Sequence, residues 1–95
     1  MINEKQKEVL LITSEECSEV SQAISKIFRF GIDAEWNNTT NRQHLAEEIG
    51  DLVCMISLCI STGIVSEENI TMAASLKFSK LQKWSTIFKD KEESV

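Results

Sequence analysis

The sequence contains no proline and only three glycines among its 95 residues. Both residue types interrupt helices, so their scarcity favours long helices over a structure rich in turns. Hydrophobic residues make up 42% of the chain and charged residues 26%, which is typical of a globular domain rather than of a disordered segment. The length predicts one domain over residues 1–95, and a domain this small buries little of its surface unless it associates.

Cysteine is also scarce, and the three cysteines form no CxxC pair. Each lies in an apolar segment, where cysteine behaves as a small hydrophobic residue. Their odd number and the absence of a signal-peptide pattern predict a reducing, cytoplasmic environment. The apolar run over residues 52–64 is too short to span a bilayer, so no membrane partner is expected.

The net charge of −5 leaves the chain with few options for binding nucleic acid. An acidic chain repels the phosphates of DNA and RNA, so no nucleic-acid partner is expected. The charge is unevenly distributed: most carboxylates precede residue 69, whereas lysines recur through residues 77–91. This asymmetry is compatible with a site where metal-binding acids meet phosphate-binding bases.

Hydrophobic spacing predicts an all-α fold with three long helices. Asn3 with Gln6 and Thr40 with Gln43 are candidate capping boxes at the starts of the first two helices. The expected helices run from near Asn3 to Gly31, from Thr40 to about Thr62, and from Ser66 to about Lys89. Residues 31–40 are expected to form a loop, and residues 90–95 a frayed tail.

Three such helices cannot close a four-helix bundle within one chain, but two chains can. We expect a homodimer or homotetramer that covers the face of the second helix bearing Leu52, Ile56 and Ile60.

Two pairs of carboxylates stand out because each is bordered by apolar residues. Glu16 and Glu19 are three positions apart, as are Glu48 and Asp51, so each pair shares one helix face. If the two helices pack antiparallel, the four carboxylates converge, and a hard cation such as Mg²⁺ or Mn²⁺ would relieve their repulsion. The alternative is that these glutamates are ordinary surface residues of a helical interaction module without catalytic activity.

The segments EECSE (15–19) and EEIGD (47–51) together resemble the EExxE and ExxD motifs of the MazG-like nucleotide pyrophosphohydrolases, within the all-α NTP pyrophosphohydrolase superfamily. The similarity extends to SKIFRFG (25–31), TNRQHLAEEIGD (40–51) and KFSKLQKW (77–84), and so covers most of the chain. Among the members of this family, the chain is most similar in kind to the short, single-domain proteins encoded by bacteria and phages.

The resemblance implies roles for individual residues. The metal ligands would be Glu16, Glu19, Glu48 and Asp51, with Mg²⁺ as the cofactor and Mn²⁺ as a substitute. Glu15, and Glu16 itself, would take part in catalysis, with Glu15 either supporting a metal ligand or acting as a base that orients the attacking water. The implied reaction is Mg²⁺-dependent hydrolysis of ribo- or deoxyribonucleoside triphosphates to monophosphate and pyrophosphate, in nucleotide-pool maintenance or house-cleaning. Phosphoribosyl-ATP pyrophosphohydrolase activity is the alternative within the superfamily.

Basic and aromatic residues complete the candidate site. The family usually presents a KFxxR-like stretch on the helix after the ExxD motif, but Leu81 stands here where the arginine is expected. The candidate phosphate contacts are Lys77, Lys80, Lys26 and Arg29, with Lys83 as a further substitute. The candidate base contacts are Trp36, Asn41 and Trp84. Each has a simpler interpretation, as a helix-end charge, a solvated lysine, a capping residue or a core tryptophan.

Overall fold

A computed structural model describes residues 1–89 and confirms the all-α fold. The elements in chain order are α1 (Glu4–Phe30), β1 (Glu35–Trp36), β2 (Thr39–Thr40), α2 (Asn41–Ser61) and α3 (Glu67–Trp84). The predicted frayed tail, residues 90–95, lies outside the described residues. None of the helices described over residues 1–89 is both long and apolar enough to cross a lipid bilayer.

The starts of the helices follow the capping residues that the sequence indicates. The Asn3 side chain accepts a hydrogen bond from the Gln6 backbone N–H (2.8 Å), and the Gln6 side chain accepts one from the Asn3 backbone N–H (2.9 Å). Thr40 and Gln43 form the same reciprocal pair at the start of α2. These bonds satisfy amide groups that have no partner inside the helix, which confirms both predicted capping boxes.

The end of α3 differs from the prediction. The helix stops at Trp84 rather than near Lys89, because Ser85 takes an extended conformation with φ −116° and ψ 159°. The Ser85 hydroxyl accepts a hydrogen bond from the backbone N–H of Ile87 (3.1 Å), a local turn that competes with helix. The chain then folds back, and the ring of Phe88 lies 5.7 Å from that of Phe78.

The predicted loop over residues 31–40 is in fact a β-hairpin. Strand β1 pairs antiparallel with β2, with Glu35 opposite Thr40 and Trp36 opposite Thr39. The two turn residues, Asn37 and Asn38, both have left-handed backbones, with φ of 57° and 65°. This is the geometry of a two-residue type I′ turn, which asparagine tolerates better than most residues. Strands of two residues are too short to show alternation in the sequence, so periodicity alone predicts a loop.

Residues 1–64 form one compact unit, in which α1 and α2 pack as an antiparallel pair. The Gln6 side-chain amide, near the start of α1, donates to the Thr62 carbonyl just beyond the end of α2 (2.8 Å). The core of this unit consists of Val9, Met55 and Cys59, with Ile12 and Ile64 packed against it. Residues 65–89, with α3, belong to a second unit.

Candidate metal site and adjoining groove

Antiparallel packing of α1 and α2 brings carboxylates from the two helices together. Glu16 on α1 and the pair Glu48 and Asp51 on α2 each offer an oxygen, and the three oxygens lie within 4.8 Å of one another. Glu16 and Glu48 are half-buried, whereas Asp51 is exposed. Two oxygens on opposite sides of a magnesium ion are about 4.2 Å apart, so small side-chain movements would let all three ligate one cation.

Partial removal from water, together with the surrounding negative charge, raises the pKa of Glu16 above its ordinary value of 4.5. Partial removal from water is the largest cause, followed by repulsion from Asp51 and Glu48, and then from Glu19 and Glu15. The ionised cluster is therefore unfavourable without a counter-charge. A divalent cation would supply that charge.

We expect the Glu16→Gln variant without metal to be more stable than the native chain at pH 7. A group whose pKa is raised in the folded state favours folding below its unfolded-state pKa, and that stability is lost as the pH rises through the folded-state value. Glutamine has no charge to lose, so the gain should appear at pH 7 and vanish near pH 4. Urea-unfolding midpoints in the presence of a chelator measure the difference, with Glu8→Gln as a matched control on α1. If the native chain and Glu16→Gln had equal midpoints at both pH values, the ionised Glu16 carboxylate would not destabilise the fold.

The other two glutamates of the first motif do not join the three-oxygen group. Glu19 is exposed and lies outside it, although its charge is near enough to raise the pKa of Glu16. Glu15 is also exposed and acts on Glu16 in the same way. The structure thus brings together three of the four predicted ligands.

A groove of about 690 Å³ opens beside the carboxylates. Its lining comes from the end of α1, the hairpin and the first turns of α2: Lys26, Phe30, Ala34, Glu35, Trp36, Asn37, Thr39, Thr40, Asn41, His44 and Glu47. The volume is within the range of small-molecule sites in proteins. Trp36 is 79% exposed, so one face of its indole ring is free to stack against a ligand.

His44 connects the groove to the carboxylates. It lines the groove, and its Nε2 lies 3.7 Å from Oε1 of Glu48, one helical turn further along α2. The side chain of Glu48 is only 14% exposed.

The hairpin that carries Trp36 is tied to both neighbouring helices. The guanidinium of Arg42 donates two hydrogen bonds to the Asp33 carboxylate, at 2.9 and 3.1 Å. This contact lowers the pKa of Asp33 and raises that of Arg42, in both cases mainly through the hydrogen bonding. The Asn41 side chain donates to the carbonyl of Gly31 (2.9 Å), just after α1. The hairpin is thus held in place at the mouth of the groove.

The candidate basic residues are distributed over both units. Lys26 lines the groove, and Arg29, in the last turn of α1, lies 4.9 Å from the centre of the Phe30 ring. In the second unit, Lys77 and Lys80 are exposed on α3. Of the predicted base contacts, Trp36 and Asn41 share the groove.

The remaining predicted base contact, Trp84, belongs to the second unit. It is 80% exposed at the end of α3, with the ammonium of Lys83 5.4 Å from its ring.

Sequence analysis did not identify the other eight residues that line the groove, among them Phe30, Glu35 and Glu47. The sequence shows Glu47 only as the neighbour of the candidate metal ligand Glu48, and it shows Glu35 only as part of a predicted loop. The Asn37–Asn38 pair between two short stretches was the available signal for a hairpin that places Glu35 and Trp36 side by side.

The sequence was compared with models of protein families, and one family model matches it. The model of the MazG nucleotide pyrophosphohydrolase domain matches residues 4–83, nearly the whole chain, and that family is typically metal-dependent. Neither the curated proteins nor the solved structures include a match.

Proposed function

We propose that this chain, which belongs to the MazG nucleotide pyrophosphohydrolase family, hydrolyses ribo- or deoxyribonucleoside triphosphates to monophosphate and pyrophosphate with Mg²⁺ as cofactor. The observation that carries the proposal is the convergence of Glu16, Glu48 and Asp51 within 4.8 Å, next to a groove sized for a nucleoside. A nucleoside triphosphate has a part for each feature: its phosphates would bind the cation held by the carboxylates, and its flat base would enter the groove. Its role would be maintenance of the nucleotide pool.

The donor set suits magnesium better than other common metals. All three ligands are carboxylate oxygens, which favour hard cations over zinc or copper. Calcium usually takes six to eight oxygen ligands, whereas magnesium is held by a few carboxylates and keeps water or phosphate at its other positions. When bound, such an ion neutralises phosphate charge and makes a coordinated water more acidic. Mn²⁺ has similar preferences and is the expected substitute.

The chain's own residues would divide the remaining work. Glu16, Glu48 and Asp51 would hold the cation, and Glu19, one turn further along α1, would be the fourth ligand. Glu15 would orient the water that attacks the α-phosphorus and accept the proton that this water loses. The P–O bond to the β-phosphate breaks, and pyrophosphate leaves with the bonding electrons.

The basic residues would neutralise the pyrophosphate as it leaves. Lys26 is one proposed contact, and it belongs to the same unit as the three carboxylates. Arg29, Lys77 and Lys80 are the other proposed phosphate contacts. A lysine is a point charge without the two-pronged geometry of arginine, so several lysines would be needed to replace the arginine that Leu81 displaces.

Pyrophosphate release from each ribo- and deoxyribonucleoside triphosphate, with and without Mg²⁺, tests the proposal. In water enriched in ¹⁸O, attack at the α-phosphorus puts the label in the monophosphate, whereas attack at the γ-phosphorus puts it in orthophosphate. Labelled monophosphate that appears only with the metal supports the proposal. Cleavage of phosphoribosyl-ATP alone would favour the alternative activity, and no cleavage would favour a helical interaction module.

We propose further that the chain associates with a second copy of itself. Ile49, Val53 and Ile56 follow one another at helical spacing on α2, and each is more than a third exposed. In the described residues, only Val9, Ala23, Met55 and Cys59 count as buried hydrophobic residues, a small core for stable folding. An arginine at Ile56 is expected to lower the mass found by light scattering to that of one chain, whereas an arginine at Ser57 should not. A native chain that is monomeric at all concentrations would refute the association.

A further inference from the structure

The charge of the groove indicates which part of a nucleotide it receives. Among the described residues that line it, two carboxylates, Glu35 and Glu47, outnumber one ammonium, Lys26. A triphosphate tail would meet net repulsion there, since unpaired like charges at short range are unfavourable. The uncharged base and sugar would not. The groove is therefore suited to the nucleoside end, with the phosphates directed past His44 toward Glu48.

The wall of the groove also favours some bases over others. An ionised carboxylate accepts hydrogen bonds and cannot donate them. Glu35 and Glu47 can therefore accept a hydrogen bond from a base edge that carries an amino group, whereas they repel a carbonyl oxygen at the same position. Asn37, Asn41 and Thr39 can both donate and accept, so they discriminate less. Lys26 can only donate and favours a carbonyl, but the two carboxylates outnumber it.

We infer that the groove selects nucleotides whose base carries an exocyclic amino group, with the ring stacked on Trp36 and the amino group bonded to Glu35 or Glu47. This inference rests on the proposed function, because it names the substrate class of the same site. Stacking on a tryptophan tolerates any base, so the two carboxylates carry the discrimination.

Matched substrate pairs test the inference. dCTP and dUTP differ at position 4 of the ring, amino against carbonyl, and ATP and ITP differ in the same way at position 6. We expect kcat/KM to be at least about fivefold higher for the amino member of each pair, the lower end of what a well-placed side chain gives in base discrimination. The double substitution Glu35→Gln and Glu47→Gln keeps the shape of both side chains and adds donors, so the ratio should fall to about one. Glu8→Gln, outside the groove, should leave the ratio unchanged.

A binding measurement keeps the inference separate from the chemistry. In a Trp84→Phe background, Trp36 is the one tryptophan, and its fluorescence should be quenched at lower concentration by dCMP than by dUMP. A ratio near one in the native chain, or a preference that survives the double substitution, overturns the inference. If no triphosphate is cleaved, the proposed function fails, and the fluorescence difference still decides whether the groove prefers amino-bearing bases.

Discussion

Replacing Glu16 with glutamine is expected to lower kcat/KM for nucleoside triphosphate hydrolysis by at least about 100-fold, because residues that only support a metal ligand already cost about 10–100-fold when mutated. Glutamine keeps the size of the side chain but offers a neutral oxygen to the cation. Glu16 is also the α1 member of the three-oxygen group, so its loss leaves only the two α2 members of that group, Glu48 and Asp51.

Two measurements separate a lost metal ligand from a damaged fold. Titration with Mn²⁺, followed by electron paramagnetic resonance, should show weaker binding in Glu16→Gln, while circular dichroism shows unchanged helix content. Glu8→Gln makes the same chemical change on the same helix, outside the cluster, and should keep native activity and affinity. Full activity in Glu16→Gln would refute the assignment of this carboxylate to the metal.

Replacing Met55 with alanine is expected to lower the free energy of unfolding by about 2–5 kcal/mol, the usual cost of removing a large side chain from a packed core. Met55 is 8% exposed and lies against Val9 and Cys59, which join α1 to α2. With so few buried residues, the surrounding structure has little other packing to compensate. The same helices position the carboxylates, so metal affinity should fall along with stability.

The matched control for this change is Met72→Ala. Met72 is 63% exposed on α3, so the same loss of atoms there should change the free energy of unfolding by less than about 0.5 kcal/mol. Urea unfolding followed by circular dichroism gives both values. Similar losses in the two variants would contradict the assignment of Met55 to the core.

Local chemistry explains which parts of the structure the sequence predicts. Asn3 with Gln6 and Thr40 with Gln43 are contacts within one turn of helix, so their spacing is sufficient to locate the helix starts. The two carboxylate pairs can also be identified from their spacing within one helix. Their convergence follows if neighbouring helices pack antiparallel.

The remaining features depend on interactions that a periodic pattern does not record. The end of α3 depends on the hydroxyl of Ser85 bonding to a backbone N–H two residues on. The hairpin depends on two consecutive left-handed asparagines, and the groove depends on where that hairpin sits. Glu19 shares a helix face with Glu16, yet the structure leaves it outside the three-oxygen group, because spacing along one helix does not set distances to the next.

The hairpin over residues 35–40 lines part of the groove but carries none of the three clustered carboxylates. It supplies the Trp36 side of the groove, whereas the clustered carboxylates lie on α1 and α2, and the ion pair between Asp33 and Arg42 holds it from its base. Under the proposed function, substitutions or length changes at the Asn37–Asn38 turn would alter the part of the ligand preference that Glu35 and Trp36 set, without moving the metal ligands. Such an arrangement would let specificity evolve in one short segment while the clustered carboxylates of α1 and α2 stay in place.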